Sequence, residues 1–440
     1  MSRHSKAATG DTDPVRRPGP AAADAESGRR AATGTPGHGH AHGPVPAATR
    51  HTRRIVTAVL VPAAIATIVA LVVMWPGSVK PRDGDVGGQG GVRALGTVTA
   101  VAEQACPPAA VGAKQPQGWV QRCGSATVTV TDGPGKGRPA VVDLPQGPGA
   151  AVLHVGDDVV LLYFPDAVPG GRAYAITDQQ RSTPMIWMIA LAAAVILAFG
   201  RWRGVTSIVG LVVSFAVLLL FVIPAILDGS PPLLVAVVGS SAIMFAALYL
   251  THGVNVHTSV AVAGTLLSLV LTGVLGVVFT SALKLTGVSS DDSSYLSATY
   301  GNLDLRGLLL AGIVIGALGV LDDVTVTQAV TVAEMSAGGR VSRWELYRSA
   351  ARVGRAHVAS AVNTIVLAYA GASLPLFLLI AAGTQPLSEL VTSEFLAQEI
   401  MRSAVGTIGL VASVPITTAL AALVADLRPA ATGALGSHRP

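Results

Sequence analysis

Residues 307–335 read GLLLAGIVIGALGVLDDVTVTQAVTVAEM. An uncharged run of aliphatic residues and glycines, long enough to begin a membrane crossing, leads straight into the adjacent carboxylates Asp322 and Asp323. A carboxylate near the middle of a bilayer costs about 2.5–3.5 kcal/mol on insertion scales, so something must compensate. On a helix turning 100° per residue, Asp323, Thr327, Thr331 and Glu334 fall within an arc of about 80°, and Gly312, Gly316 and Gly319 extend the same face. Small residues let a neighbouring helix approach closely, so this face is expected to sit between packed elements along a hydrated interior path. An unbroken helix over 307–335 would be about 43 Å long against a hydrocarbon core of about 30 Å. It must tilt, protrude or break, and a break near Gly319–Asp323 would let Asp323 cap a following short helix. The competing reading has Asp322 and Asp323 merely end the span at the interface. An aspartyl protease dyad is disfavoured, because neighbours on a helix diverge by 100° and no second acid-bearing span supplies a partner.

The rest of the chain fits this reading. Of 440 residues, 51% are hydrophobic and 12% charged, against about a quarter charged in soluble domains, which predicts an α-helical polytopic membrane protein. Apolar segments at 55–75, 185–200, 205–227, 233–251, 258–282, 307–323, 357–382 and 405–426 give about eight transmembrane helices. The net charge of +5 is matched by residues 1–54 alone, which hold nine Lys/Arg against four Asp/Glu. The remainder is balanced and no nucleic-acid partner is expected. His51, Arg53, Arg54, Arg201, Arg203, Arg340, Arg343, Arg348, Arg352, Arg355 and Arg428 all fall on one side of the eight-span topology, which the positive-inside rule makes cytoplasmic. The opposite side receives the 284–306 loop and the acidic 385–400 stretch.

Residues 76–182 differ from both flanks. Short β-branched runs such as GTVTAV, SATVTVTD, PAVVD and DDVVLLYF alternate with turns such as DGPGKG and PQGPG, as in a small all-β module, an OB-like barrel of about five strands on the extracytoplasmic face. Both cysteines, Cys106 and Cys123, lie in it. One disulfide there would stabilise the module by about 3 kcal/mol and fits an oxidising compartment. The organisation expected is therefore a disordered basic cytoplasmic tail (1–54), a first anchor (55–75), the β module (76–182), a seven-helix bundle (183–427) and a cytoplasmic tail (428–440). His38, His40 and His42 alternate in the first tail, but with no Cys, Asp or Glu beside them they read as incidental.

Two further spans carry polar groups. In the seventh, Ser360 and Asn363 share a face with Thr364 beside it, Asn363 reading equally as a hydrogen bond between helices or as a ligand, and Pro375 is expected to kink the helix. In the eighth, Ser413, Pro415, Thr417 and Thr418 lie mid-span. The series Arg348, Arg352, Arg355 with Trp344 and Tyr347 reads as an interfacial helix on anionic headgroups. His257 and His357 each precede a similar apolar stretch, a weak sign of internal duplication.

Asp323, Thr327, Thr331 and Glu334 reproduce an aspartate followed at four, eight and eleven positions by two hydroxyl or small residues and a glutamate. Residues 363–375, NTIVLAYAGASLP, fit the pattern N-T-x-x-L-A-Y-x-G-x-x-L-P. On these motifs the chain resembles the YibE/F-like membrane proteins, in their actinobacterial form, over residues 95–426. It departs from them where an acid commonly precedes the histidine of the seventh span, since Ala356 precedes His357 here. The resemblance implies a multi-pass protein of the bacterial plasma membrane with both termini cytoplasmic. The residues themselves favour a transporter or permease-like protein, with Asp322, Asp323, Thr327, Thr331, Glu334, Asn363 and Thr364 along an ion or substrate path. The alternative is a non-transporting envelope assembly or sensor protein acting through its β module. There is no phosphate-binding glycine loop and no nucleophile with a positioned base, so neither an enzyme nor a cofactor is expected. The partners expected are the lipid bilayer, a small ion or envelope ligand, and further copies of the chain as a homo-oligomer.

Overall fold

The computed structural model describes residues 50–77, 91–106, 122–147, 150–165, 172–288, 291–301, 303–337, 342–383, 389 and 392–425. The tail through residue 49, with His38, His40 and His42, and the tail from 426 lie outside them. The elements are α1 (Arg50–Val73), β1 (Val92–Gln104), β2 (Cys123–Asp132), β3 (Pro139–Asp143), β4 (Asp158–Tyr163) and β5 (Tyr174–Gln179), followed by the remaining helices. These are α2 (Ser182–Leu227), α3 (Pro232–His252), α4 (Val256–Ala282), α5 (Asp291–Thr299), α6 (Leu305–Ala337), α7 (Arg343–Ala372), α8 (Leu374–Ala382) and α9 (Glu394–Val424).

The strands form one antiparallel sheet in the order β3-β2-β1-β4-β5. Alternation along β2 buries Ala126, Val128 and Val130 on one face, where they meet Ala94, Val98, Val142, Val159 and Leu161. β1 serves two partners: Val92–Thr97 pair with β4 and Leu95–Gln104 with β2, and a bulge at Thr99 bends the strand just past the β4 pairing. The bend brings the sheet's edges together. Tyr174 Oη donates to the Pro134 carbonyl at 2.8 Å, and Arg172 pairs with Asp143 at 2.7 Å. The long β3–β4 connection contributes Leu144 and Leu153 to the core.

Cys106 and Cys123 are joined, with Cα atoms 5.0 Å apart, linking the end of β1 to the start of β2. The bond closes a loop spanning 17 positions, so reducing it is expected to destabilise the module by about 3 kcal/mol. Hydrogen exchange of the full chain with and without reductant checks this: β1 and β2 amides should lose protection while the helices keep theirs.

Among the described residues, six helices are long and apolar enough to cross a bilayer: α1, α2, α3, α4, α6 and α9. The expected segments 185–200 and 205–227 are the two arms of α2, which breaks at Arg201 (φ 51°, ψ −126°). A side chain on Gly204 would lie 3.3 Å from Leu197 Cα and would collide with the Ile196 carbonyl. In a straight helix residues 196 and 204 are about 12 Å apart, so the chain doubles back here. Glycine is what permits the contact.

The expected span 357–382 is divided between the second half of α7 and α8, which part at Ser373, two residues before Pro375. α7 starts earlier than the apolar pattern did. A capping box opens it: Glu345 N–H donates to Ser342 Oγ (3.2 Å), while Ser342 N–H and Oγ–H donate to Glu345 Oε2 (both 2.9 Å). Those two bonds, the backbone one first, hold the Glu345 carboxyl below its ordinary pKa. The arginine series and the stacked Trp344–Tyr347 pair therefore belong to the same continuous helix as Asn363. His257 opens α4 whereas His357 lies well inside α7, so the two segments do not occupy equivalent places.

α6 is the hub of the bundle, touching α3, α4, α7 and α9. Its covered faces carry Leu310, Ile313, Val314, Leu321, Val324 and Val332. The expected break near Gly319–Asp323 is absent. α6 is one helix of 33 residues, about 50 Å long, because its i→i−4 ladder runs intact past both aspartates and needs no cap there. The aspartates do not end the helix either, which continues to Ala337.

α4 and α9 run antiparallel in close contact through two reciprocal pairs. Gly264 of α4 faces the Thr417 side chain, and Gly409 of α9 faces the Thr272 side chain. Ser268 and Ser413, each midway between them, are fully buried and donate to carbonyls of their own helices.

Candidate functional site

The stripe that sequence periodicity grouped on one face of α6 is real, but it is that helix's uncovered face. Gly312, Gly316, Gly319, Asp323, Thr327 and Glu334 are exposed, and Thr331 half so. The expectation that a neighbouring helix packs on the glycines is overturned. A side chain added at Gly312 or Gly319 would meet open space, and only Gly316 has a close neighbour, the Tyr369 hydroxyl at 3.0 Å from a built Cβ. The covered sides of α6 carry the larger apolar residues, so packing followed bulk. In the bundle the larger contact area outweighs close approach at glycine.

The two aspartates differ. Asp323 is exposed on the stripe, whereas Asp322 is half-buried beside it. The Asp322 Oδ1 oxygen is fully enclosed and has no hydrogen-bond partner among the described residues. Its backbone carbonyl accepts from Thr325 Oγ1 at 3.1 Å, and the Thr325 and Thr265 hydroxyls lie 2.7 Å apart, tying this turn to α4. An enclosed carboxylate oxygen with no donor needs a proton, a water or a cation.

Below Asp323 the stripe enters an open cleft of about 560 Å³ lined by His252, Val326, Thr327, Val330, Thr331, Glu334, Met335 and Val353. α3 ends in one wall with His252, and α7 supplies the other with Val353. The charges of Arg203 and Asp323 both act on His252, and that of Glu334 acts on His257. Among the described residues no group of three or more His, Cys, Asp or Glu is arranged to hold a metal ion.

A model of the YibE/F-like protein family matches residues 188–427, more than half of the chain. The chain belongs to the YibE/F-like family. No curated protein and no solved structure matches it. The family match begins after the β-sheet and takes in the aspartate pair, the stripe and the whole cleft.

Within the YibE/F-like region, the second sequence motif divides. Asn363 is exposed on the outward side of α7, away from the face that buries Val358 and Ile365 against α6 and α9. It does not join the aspartates. Thr364 donates to the Ser360 carbonyl (3.2 Å). It lies eleven residues from Val353, with His357 and Ser360 between at helical spacing, so it shares the flank of α7 that bounds the cleft. Tyr369 of the same motif also reaches α6, over Gly316.

Several polar groups of this YibE/F-like bundle escaped the sequence reading. Gln328 is buried and donates to the Ala350 carbonyl of α7 at 2.9 Å; Gly354 leaves room for its carboxamide. Its signal was a lone amide on the apolar side of α6. Arg402 and Glu399 of α9 pair at 2.7 Å, with Ser373 Oγ donating to Glu399 Oε2 at 3.3 Å. They fell just outside the apolar window taken for the last span. His252 ends α3 and carried no motif.

Proposed function

We propose that the protein is an ion-translocating, permease-like membrane protein whose path follows the uncovered stripe of α6. The single observation supporting this is the enclosed, donorless Oδ1 of Asp322 beside a polar stripe that runs into an open cleft. Such an oxygen is stable only with a transient proton, water or cation, and a group that accepts and releases one suits a carrier. Eight crossings follow if the arms of α2 cross separately and α7–α8 crosses once. The basic residues then put both termini and the cleft on the cytoplasmic side of a bacterial plasma membrane. The module of 76–182, as an OB-like barrel, stands on the opposite face, where its disulfide persists. The exposed aspartate and threonines face water within the cleft or another copy of the chain instead of acyl chains.

Purified protein in liposomes under an imposed ion or pH gradient tests the reading. The wild type should dissipate the gradient, and Asp322→Asn and Asp323→Asn should each slow it about tenfold or more, equivalent to about 1.4 kcal/mol of barrier. Equal rates for the wild type and both variants would show that the carboxylates have no part in translocation.

A further inference from the structure

We infer that His252 is the proton-exchange group of the cleft, passing protons between water on that side and Asp323, so that the ion carried is the proton; this rests on the translocation reading above. The geometry sets which ring nitrogen can act. His252 Nδ1 lies 2.7 Å from Thr251 Oγ1, and that hydroxyl spends its own hydrogen on the Ala247 carbonyl, also at 2.7 Å. With that hydroxyl left to act as an acceptor, Nδ1 carries the hydrogen in the neutral ring. Nε2 then holds a bare lone pair on a side chain that lines the cleft.

The step is a simple relay. Nε2 takes a proton from hydronium in the cleft, forming one N–H bond as an O–H bond breaks and water departs. The imidazolium then yields that proton through cleft water to the Asp323 carboxylate, forming a carboxyl O–H and restoring the lone pair. Nδ1–H is untouched throughout. Imidazole suits the task because its ordinary pKa, near 6.5, lies in the range over which water on either side of a cell membrane varies.

The charged groups whose fields reach the ring are Asp323 of α6 and Arg203 of α2. Glu334 of α6 lines the same cleft and acts on His257 of α4, while α7 contributes the uncharged Val353.

The test uses the full-length protein in liposomes containing a pH-sensitive dye, with protein-free liposomes subtracted. His252→Ala should slow proton entry about tenfold, and imidazole added on the cleft side should restore most of the rate. Asp323→Asn should be slow with or without imidazole. His252→Ala proceeding at the wild-type rate, or slowing without rescue, would overturn the relay and leave the path standing. So would a wild type that moves another cation and no protons. A wild type that moves no ion at all would sink both the relay and the translocation reading.

Discussion

Asp322→Leu is expected to yield a protein that melts higher than the wild type and no longer moves ions. The enclosed Oδ1 has no donor, so the native side chain bears a desolvation cost without a compensating bond. Leucine has similar bulk and no polar atom. Removing a buried polar atom that lacks a partner returns its desolvation cost, about 1–3 kcal/mol. Thermal unfolding of the purified protein in detergent measures the first effect, and gradient dissipation in liposomes the second. A melting temperature several degrees below wild type would mean that the carboxylate is satisfied and structural, and the case for a translocating Asp322 would go with it. Stability and activity moving in opposite directions would set this residue apart from the packing residues around it, where a damaging substitution lowers both.

Gly264→Leu should have the opposite signature, losing stability and with it everything that depends on the bundle. The new side chain would enter the space held by Thr417, on a helix pair whose second contact, Gly409 against Thr272, is equally close. Overpacking a tight interior costs about 1–3 kcal/mol when neighbours can shift. Here a shift must separate two helix backbones, so the upper end is expected. Thr417→Ala opens room and removes a buried hydroxyl that has no partner, so alone it should be nearly neutral. Combined with Gly264→Ala it should recover stability relative to Gly264→Ala alone, with a coupling of about 0.5–3 kcal/mol. Additive losses in that cycle would show that α4 and α9 are not in register as described.

Much of the architecture was legible in the residues. The apolar runs mark helices because length and composition alone decide whether a segment can cross a bilayer. The β module announces itself by alternation and by its turns, and its two cysteines, alone in the chain, have only each other as intramolecular partners. Asp323, Thr327, Thr331 and Glu334 share a face because a helix turns 100° per residue whatever surrounds it.

Which face of α6 is covered depended on the fold. In a bilayer, core and lipid are both apolar, so an aliphatic side chain carries no sign of which one it meets. The sequence could place glycines and carboxylates on one stripe, yet it could not tell that α3, α4, α7 and α9 would take the other sides. Nor could it rank two adjacent aspartates, because 100° of rotation separates an enclosed oxygen from an open one. The turn at Arg201, the continuity of α7 from Arg343 to Ala372 and the arrival of His252 in the cleft beside Thr327 and Glu334 all join residues distant in sequence or reverse the chain locally. Periodicity assigns each helix its faces, and only the packing of one helix on another decides what those faces meet.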